Sequence, residues 1–352
     1  MYFDPNPKEK LSDLFDYKRE LEELLSAADG EKVVFIKGLR RTGKTSLMKV
    51  AMNEIKHPSA YMDARACSTR REFLEGLIKS FSALMQQVGI YGKIKSNLPK
   101  EMEISGIKIK LTTDDLYDYA KELDRYLQSS KKRAVLFVDE AQRTKRFDGD
   151  AIFASLYDAT KNVCFIFSGS EIGLFEEFSG KSSESPFYGR AKRIIAIGPL
   201  ADEKSTEFLR EGFRQIKKDY KEDEIKEAVE KLDGIIGWLT LYGHYRISSS
   251  HARAIESVLL DAKKITAAEF NEFLKNKQEA KNRYNIIMQS LSKMDLRWSE
   301  IKMLLEMKTK TRIGDGRLHE YIKNLQDYSF IEEKEGRYRI ADPVMREAFK
   351  TR

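Results

Sequence analysis

Gly38-Leu39-Arg40-Arg41-Thr42-Gly43-Lys44-Thr45, followed by Ser46, is a complete G-x-x-x-x-G-K-[ST] sequence. Gly38 and Gly43 let the backbone wrap phosphate oxygens and turn its N–H groups inward. The helix expected from Thr45 to Lys56 adds the partial positive charge of its N-terminus. Lys44 brings a point charge to the β- and γ-phosphates, and the Thr45 hydroxyl is a magnesium ligand. The apolar run Val33-Val-Phe-Ile36 just upstream reads as a buried strand. Strand, glycine loop and helix in this order predict a phosphate-binding loop for ATP or ADP with Mg2+.

Ala134-Val-Leu-Phe-Val138-Asp139-Glu140 supplies a matching second half. Both carboxylates fall at the carboxyl end of an apolar strand, where ligands bind in open α/β sheets. Asp139 is expected to hold magnesium, and Glu140 to orient and deprotonate the attacking water. A third apolar run, Val163-Cys-Phe-Ile-Phe167, ends in Ser168-Gly-Ser170. Either hydroxyl suits a bridge between the γ-phosphate and water, and either suits an ordinary helix cap. Arg190, in Ser185-Pro-Phe-Tyr-Gly-Arg190, can stabilise transition-state charge as an arginine finger or form a plain surface ion pair. Asp63 and Arg65 end a further expected strand, with a local salt bridge as the alternative to a catalytic part.

Continuous apolar strands imply a sheet covered on both faces. Ser59-Ala-Tyr-Met62 and Arg193-Ile-Ile-Ala-Ile197 complete the strand set. Helical patterns over Arg71–Val88, Thr113–Gln128 and Gly149–Thr160 alternate with them. The expected fold class is therefore α/β, a P-loop NTPase with a doubly wound parallel sheet. Residues 89–112 interrupt the rhythm, and Glu103–Leu111 reads as a hairpin turning at Ser105-Gly106.

After Gly198-Pro199 the pattern becomes helical, with helices over Asp202–Ile216, Glu222–Leu232, Leu239–Tyr245, His251–Asp261 and Ala267–Gln278. From Arg283 three short helices precede a hairpin, Phe330–Ile340, turning at Glu335-Gly336, which is the layout of a winged helix-turn-helix. Three domains follow: 1–199 for the α/β ATPase, 200–282 for a helical lid and 283–352 for the winged helix.

The 352 residues carry 63 Lys and Arg against 56 Asp and Glu. This crowded mixed-charge surface suits ion-pair networks. Cys67 and Cys164 stand apart, no Cys/His spacing resembles a metal site, and Cys164 sits in an apolar run as a small hydrophobe. The first eight residues lack the apolar region of a signal peptide, and no stretch approaches a membrane span. A soluble, cytoplasmic protein that does not contact membranes is expected.

These motifs together resemble the archaeal ATPase family of the STAND division, relatives of the AAA+ proteins. The likeness includes Leu14-Phe-Asp-Tyr-Lys-Arg-Glu-Leu21, the Gly38–Thr45 loop, Leu136–Gln142, Ser168-Gly-Ser170 and Ser185–Arg190. It continues through Gly234-Ile-Ile236-Gly-Trp-Leu239 to Arg283-Tyr284 at the entry to the winged helix. The resemblance implies that Phe15, Asp16 and Arg19 lie near adenine. It also implies a nucleotide-governed switch. Ile236 stands where the family usually has the proline that feels bound nucleotide.

Residues 281–352 hold 16 Lys/Arg and 11 Asp/Glu, so much of the chain's net charge of +7 lies here. Lys308, Lys310, Arg312, Arg317, His319 and Lys323 surround the third helix of the module, which in winged helices enters the major groove. Such cations bind double-stranded DNA phosphates without sequence preference. Glu332, Glu333 and Glu335 crowd the wing and favour contact with protein instead. The leading expectation is a Mg-dependent ATPase switch of STAND type. An AAA+-type DNA-binding replication or transcription factor, and a weakly hydrolysing scaffold for a protein partner or a homo-oligomer, are the alternatives. A scaffold needs neither Glu140 nor Arg190.

Overall fold

A computed structural model of the chain describes residues 1–91 and 112–350. The expected Glu103–Leu111 hairpin falls outside the described residues. Five parallel strands, β1 (Val33–Lys37), β2 (Ser59–Asp63), β3 (Ala134–Asp139), β4 (Val163–Gly169) and β5 (Arg193–Ala196), form one sheet in the order β2-β3-β4-β1-β5. The order follows from side-chain chemistry. The apolar runs β1, β3 and β4 are buried almost throughout and take the centre. β2 alternates in burial and β5 keeps Arg193 and Ile194 exposed, as suits edges. Helices α1 (Lys18–Gly30), α2 (Lys44–Glu54), α3 (Arg70–Gln87), α4 (Thr113–Ser129), α5 (Gly149–Ala159) and the short α6 (Ile172–Phe178) pack around the sheet. Thr69 with Glu72 and Thr112 with Asp115 form capping boxes that start α3 and α4. The α/β fold with a parallel P-loop sheet is thus the observed one. β4 lies between β1 and β3, so Ser168 and Ser170 emerge between the phosphate loop and Asp139.

Helices α7 (Asp202–Gln215), α8 (Glu222–Leu232), α9 (Ile236–Arg246) and α10 (His251–Leu274) follow. The two helices expected over His251–Asp261 and Ala267–Gln278 are one. The polar stretch Lys263-Lys-Ile-Thr266 contains no Gly or Pro to break the pattern, and Ala262 and Thr266 bury their side chains inside the turn. The apolar stripe of α10 changes partner along its length. Ala254, Ile255 and Val258 join the core of α7–α9, together with Phe3 and Phe15 from the amino terminus. Phe270, Phe273 and Leu274 join the core of the winged helix.

That module comprises α11 (Lys281–Leu291), α12 (Trp298–Thr309), α13 (Asp315–Asp327) and the antiparallel pair β6 (Ile331–Lys334) and β7 (Arg337–Ile340), before a final turn α14 (Arg346–Phe349). Glu335 (φ 53°) and Gly336 (φ 74°) turn the wing, both with positive φ as a two-residue hairpin loop requires. Tyr284, Tyr321 and Phe330 are buried in the module's own core, with Trp298 packed against it. No helix among the described residues is long and apolar enough to cross a membrane.

Candidate nucleotide site

The glycine loop leaves the carboxyl end of β1, and α2 begins at Lys44. Gly43 adopts φ 92°, and a Cβ there would meet the Tyr17 ring at 2.9 Å, so the position suits glycine on both counts. The Tyr17 hydroxyl donates to the Thr42 carbonyl at 2.6 Å and pins the loop from α1's side. The Thr42 hydroxyl donates to the Leu39 carbonyl at 2.8 Å. Lys44 Nζ folds back onto the carbonyls of Gly38 (2.9 Å) and Leu39 (2.6 Å). Burial pushes its pKa down to about 8, against the pull of Glu140 and Asp139. Ser46 accepts a hydrogen bond from the Lys8 backbone at 3.0 Å, which draws the amino-terminal segment over α2.

Asp139, 1% exposed, gathers side-chain donors from α2, β2 and β4. It accepts from the Thr45 hydroxyl (2.7 Å) and the Tyr61 hydroxyl (2.9 Å) through Oδ2. Its Oδ1 accepts from the Ser168 hydroxyl and from the Glu140 backbone at 3.1 Å. Burial and the adjacent Asp139 carboxylate drive the Tyr61 phenol well above its ordinary range, so it stays a donor. Asp63 is clasped by Arg65, whose guanidinium reaches to 3.8 Å from Asp139. The expected salt bridge is therefore present, and Arg65 also lines the cavity described below.

Glu140 follows with φ 53°, a left-handed backbone that is uncommon for a residue with a side chain. Its Oε2 accepts from Gln142 Nε2 (2.7 Å) and the Ser170 hydroxyl (2.8 Å). Burial raises its pKa, but Lys44 and these two hydrogen bonds outweigh that and hold the carboxyl below its usual range. The two serines left open by sequence are thereby distinguished: Ser168 serves Asp139 and Ser170 serves Glu140.

A cavity of about 530 Å3 opens over this cluster. Lys44, Thr45, Ser46, Glu140 and Ser170 form its polar floor, and Phe15, Phe208, Ile236, Leu241 and Ile265 an apolar wall. Ile236 is the first residue of α9, the helical position at which proline is most readily accommodated. Asp16 and Arg19 are exposed and outside the lining, with Asp16 3.4 Å from Lys204.

Arg40 and Arg41 line the cavity, yet their guanidinium groups bind protein. Arg40 donates to Glu171 (2.8 Å) and to the Tyr328 carbonyl (3.0 Å), just after α13. Arg41 donates to Glu269 of α10 (2.8 Å) and lies 4.4 Å over the Trp238 ring. Trp238 in turn donates to the buried Asp342 beyond the wing at 2.9 Å. Glu171, Glu269 and Tyr61 have no local sequence signal that marks them as site residues, whereas Tyr17 and Gln142 fall inside the Leu14–Leu21 and Leu136–Gln142 segments, which do not by themselves single them out.

Arg190 is not brought to this site. It pairs with Asp158 in the last turn of α5 at 2.7 Å and donates to the Pro186 carbonyl. It precedes β5, whose Arg193 pairs with Val34 near the start of β1. This is the amino edge of the sheet, about 16 Å from the phosphate loop at roughly 3.3 Å per strand residue. In this arrangement Arg190 does not reach the phosphate loop of its own chain, because parallel strands carry their two ends to opposite edges.

Sheet, glycine loop and carboxylate cluster define a P-loop ATPase joined to a winged helix. Residues 14–241 match the family described as ATPase domains predominantly from Archaea, and the chain belongs to that family. Residues 278–341 match the carboxyl-terminal winged helix-turn-helix domain of MCM proteins. Among solved structures, the chain is similar to the Walker-type ATPase PABY2304 of Pyrococcus abyssi, with 31% identity over 99% of each chain and a TM-score of 0.80. It is also similar in fold to the ORC2 protein of Aeropyrum pernix in its ADPNP–ADP complexes, with 14% identity, 99% and 95% of the chains covered and a TM-score of 0.62. No curated protein matches the sequence.

Proposed function

We propose that this chain is a Mg-dependent ATPase that works as a nucleotide switch of STAND type. The observation that carries the reading is that a complete phosphate-binding loop also grips two other parts of the chain. Gly38–Ser46 is shaped for phosphates, while Arg40 and Arg41 within it hold α10 and the residue after α13. A ligand shifts only states that it distinguishes. Phosphates entering this loop compete with the lysine and arginine contacts now made to protein, and so bias the docking of lid and winged helix.

Roles follow from position. Gly38, Leu39, Thr42, Gly43 and Lys44 cradle the phosphates. The Thr45 hydroxyl and the Asp139 carboxylate form a hard oxygen set that fits Mg2+, which is commonly bound by one or two carboxylates together with substrate phosphates. Among the described residues no group of three or more His, Cys, Asp or Glu is arranged to hold a metal ion. When bound, the ion neutralises phosphate charge. Glu140 orients the water and takes its proton, and Ser168 and Ser170 hold the two carboxylates in place. Phe15 and Ile236 flank the base. Arg190, on the opposite edge, acts on the nucleotide of a second copy. The working division is 1–199, 200–282 and 283–352, with α10 shared between the last two.

DNA binding by residues 283–352 is a second reading, supported by the exposure of Lys308, Lys310, Arg312 and Arg317 around α13. The direct test of the first is steady-state hydrolysis of ATP with and without Mg2+. Turnover that vanishes on chelation and in Glu140→Gln supports it, and turnover indifferent to both rejects it.

A further inference from the structure

We propose that Gln142 and Glu171 are positioning residues that keep one carboxylate oxygen of Glu140, Oε2, engaged and out of reaction whenever the winged helix is docked. The inference rests on Glu140 being the water-activating carboxylate.

Four hydrogen bonds run in series. Tyr328 O accepts from Arg40 at 3.0 Å, and Arg40 donates onward to Glu171 Oε1 at 2.8 Å. Glu171 Oε2 accepts from Gln142 Nε2 at 3.3 Å, and the same amide nitrogen donates to Glu140 Oε2 at 2.7 Å. Gln142 and Glu171 are 4% and 7% exposed, so water does not readily replace these bonds. The orientation of the Gln142 amide follows from its neighbours. Its NH2 faces two carboxylates, and its Oε1 is buried without a partner among the described residues. Turning the amide over would set its oxygen against both carboxylates.

The consequence for Glu140 is chemical. Two donated hydrogen bonds, from Gln142 and Ser170, occupy Oε2 and fix its direction, so this oxygen is not free to accept a proton from water. The consequence for Glu171 is mechanical. The next two residues touch the end of α13 and the turn after it: Ile172 N donates to Ser329 Oγ at 2.7 Å, and a Cβ on Gly173 would lie 2.5 Å from Asp327 Cα. Loss of docking removes the Tyr328 anchor of Arg40 and the contacts beside Glu171. Gln142 is then free to leave Glu140.

Gly173 offers a wedge remote from the nucleotide. In the full chain, Gly173→Val should push the winged helix off and raise kcat about fivefold, the low end of coupling between distinct sites. KM for ATP should fall in this variant, since undocking removes the Tyr328 contact of Arg40 that phosphates in the loop must otherwise displace. Gln142→Leu should give the same rise. Glu171→Gln, which keeps the side chain's shape but weakens its hold on Arg40, reads the relay again if Gln142→Leu folds poorly by thermal unfolding. Gly173→Val in the Gln142→Leu background should add nothing, because both act on one step. Flat or falling kcat in folded Gln142→Leu and Glu171→Gln, or additive gains in the double variant, overturns the relay. If hydrolysis is lost in Glu140→Gln but the relay variants stay flat, only the relay fails. If neither the wild type nor any relay variant shows hydrolysis dependent on Glu140, the ATPase reading fails with it.

Discussion

The two edges of the central sheet carry similar residues to different ends. At the carboxyl edge, Lys44, Thr45, Asp139, Glu140, Ser168 and Ser170 converge from three neighbouring strands, largely buried and cross-bonded. At the amino edge, Arg190 sits in an ion pair with Asp158, a carboxylate 58% exposed. Both edges hold charged groups beside glycine-rich turns, but only the first encloses a cavity with donors and acceptors aimed inward. The contrast shows how a parallel sheet sorts chemistry. Successive strands leave it at the same edge, so residues that follow strands meet, and residues that precede them meet elsewhere.

The strongest way to break this contrast is to disable the carboxyl edge. Lys44→Ala should abolish high-affinity ATP binding by calorimetry, since it removes the cation that reaches the β- and γ-phosphates. Unchanged affinity would remove the loop from the argument. Glu140→Gln should leave affinity within about twofold and lower kcat by about 10²–10⁴, the usual range for a general base. Near-normal turnover would take Glu140 out of the reaction.

The amino edge is tested by Arg190→Ala. Turnover should fall about a hundredfold with little change in ATP affinity, because a finger acts on transition-state charge. Acting from a second copy, the effect has a signature. Mixing Arg190→Ala with Glu140→Gln should restore part of the activity, since one protomer keeps an intact site and its neighbour an intact finger. No recovery, with turnover independent of protein concentration, would leave Arg190 as a surface ion pair.

A smaller effect concerns the winged helix. Fluorescence anisotropy with duplex DNA at two salt concentrations should show weak binding that falls steeply with salt. Lys308→Glu combined with Arg312→Glu should remove it. Charge reversal is preferable to truncation at residue 282, which would leave Phe270, Phe273 and Leu274 without the core they fill. Binding that survives the reversal would place any DNA site elsewhere.

The smallest expected effect is in pH. Lys44 has its pKa lowered to about 8 in the free protein, and bound phosphates restore its charge. ATP affinity should therefore be flat below about pH 8 and decline above it, with protons taken up on binding near that pH. Calorimetry in buffers of different ionisation enthalpy reads this uptake directly. Its absence would mean that Lys44 enters the complex already charged.

Much of the carboxyl edge was legible beforehand because its signals are local. Glycines that permit unusual backbone, a lysine and threonine at fixed offsets and an apolar run ending in two acids each depend on a few adjacent residues. The same holds for the wing, where Glu335-Gly336 announces its turn. The sequence by itself determined the α/β class, the phosphate loop, the Asp139-Glu140 strand end and the winged-helix layout. Only the tertiary structure decided which strand lies between β1 and β3, and hence that Ser168 meets Asp139 while Ser170 meets Glu140. It alone decided that Arg190 faces away, that α10 is continuous across two cores, and that Arg40 and Arg41 bind Glu171, Glu269 and a carbonyl 288 residues further on. The physical reason is range. Backbone conformation and strand burial answer to near neighbours, whereas a guanidinium takes whichever acceptors the packed chain brings within about 3 Å.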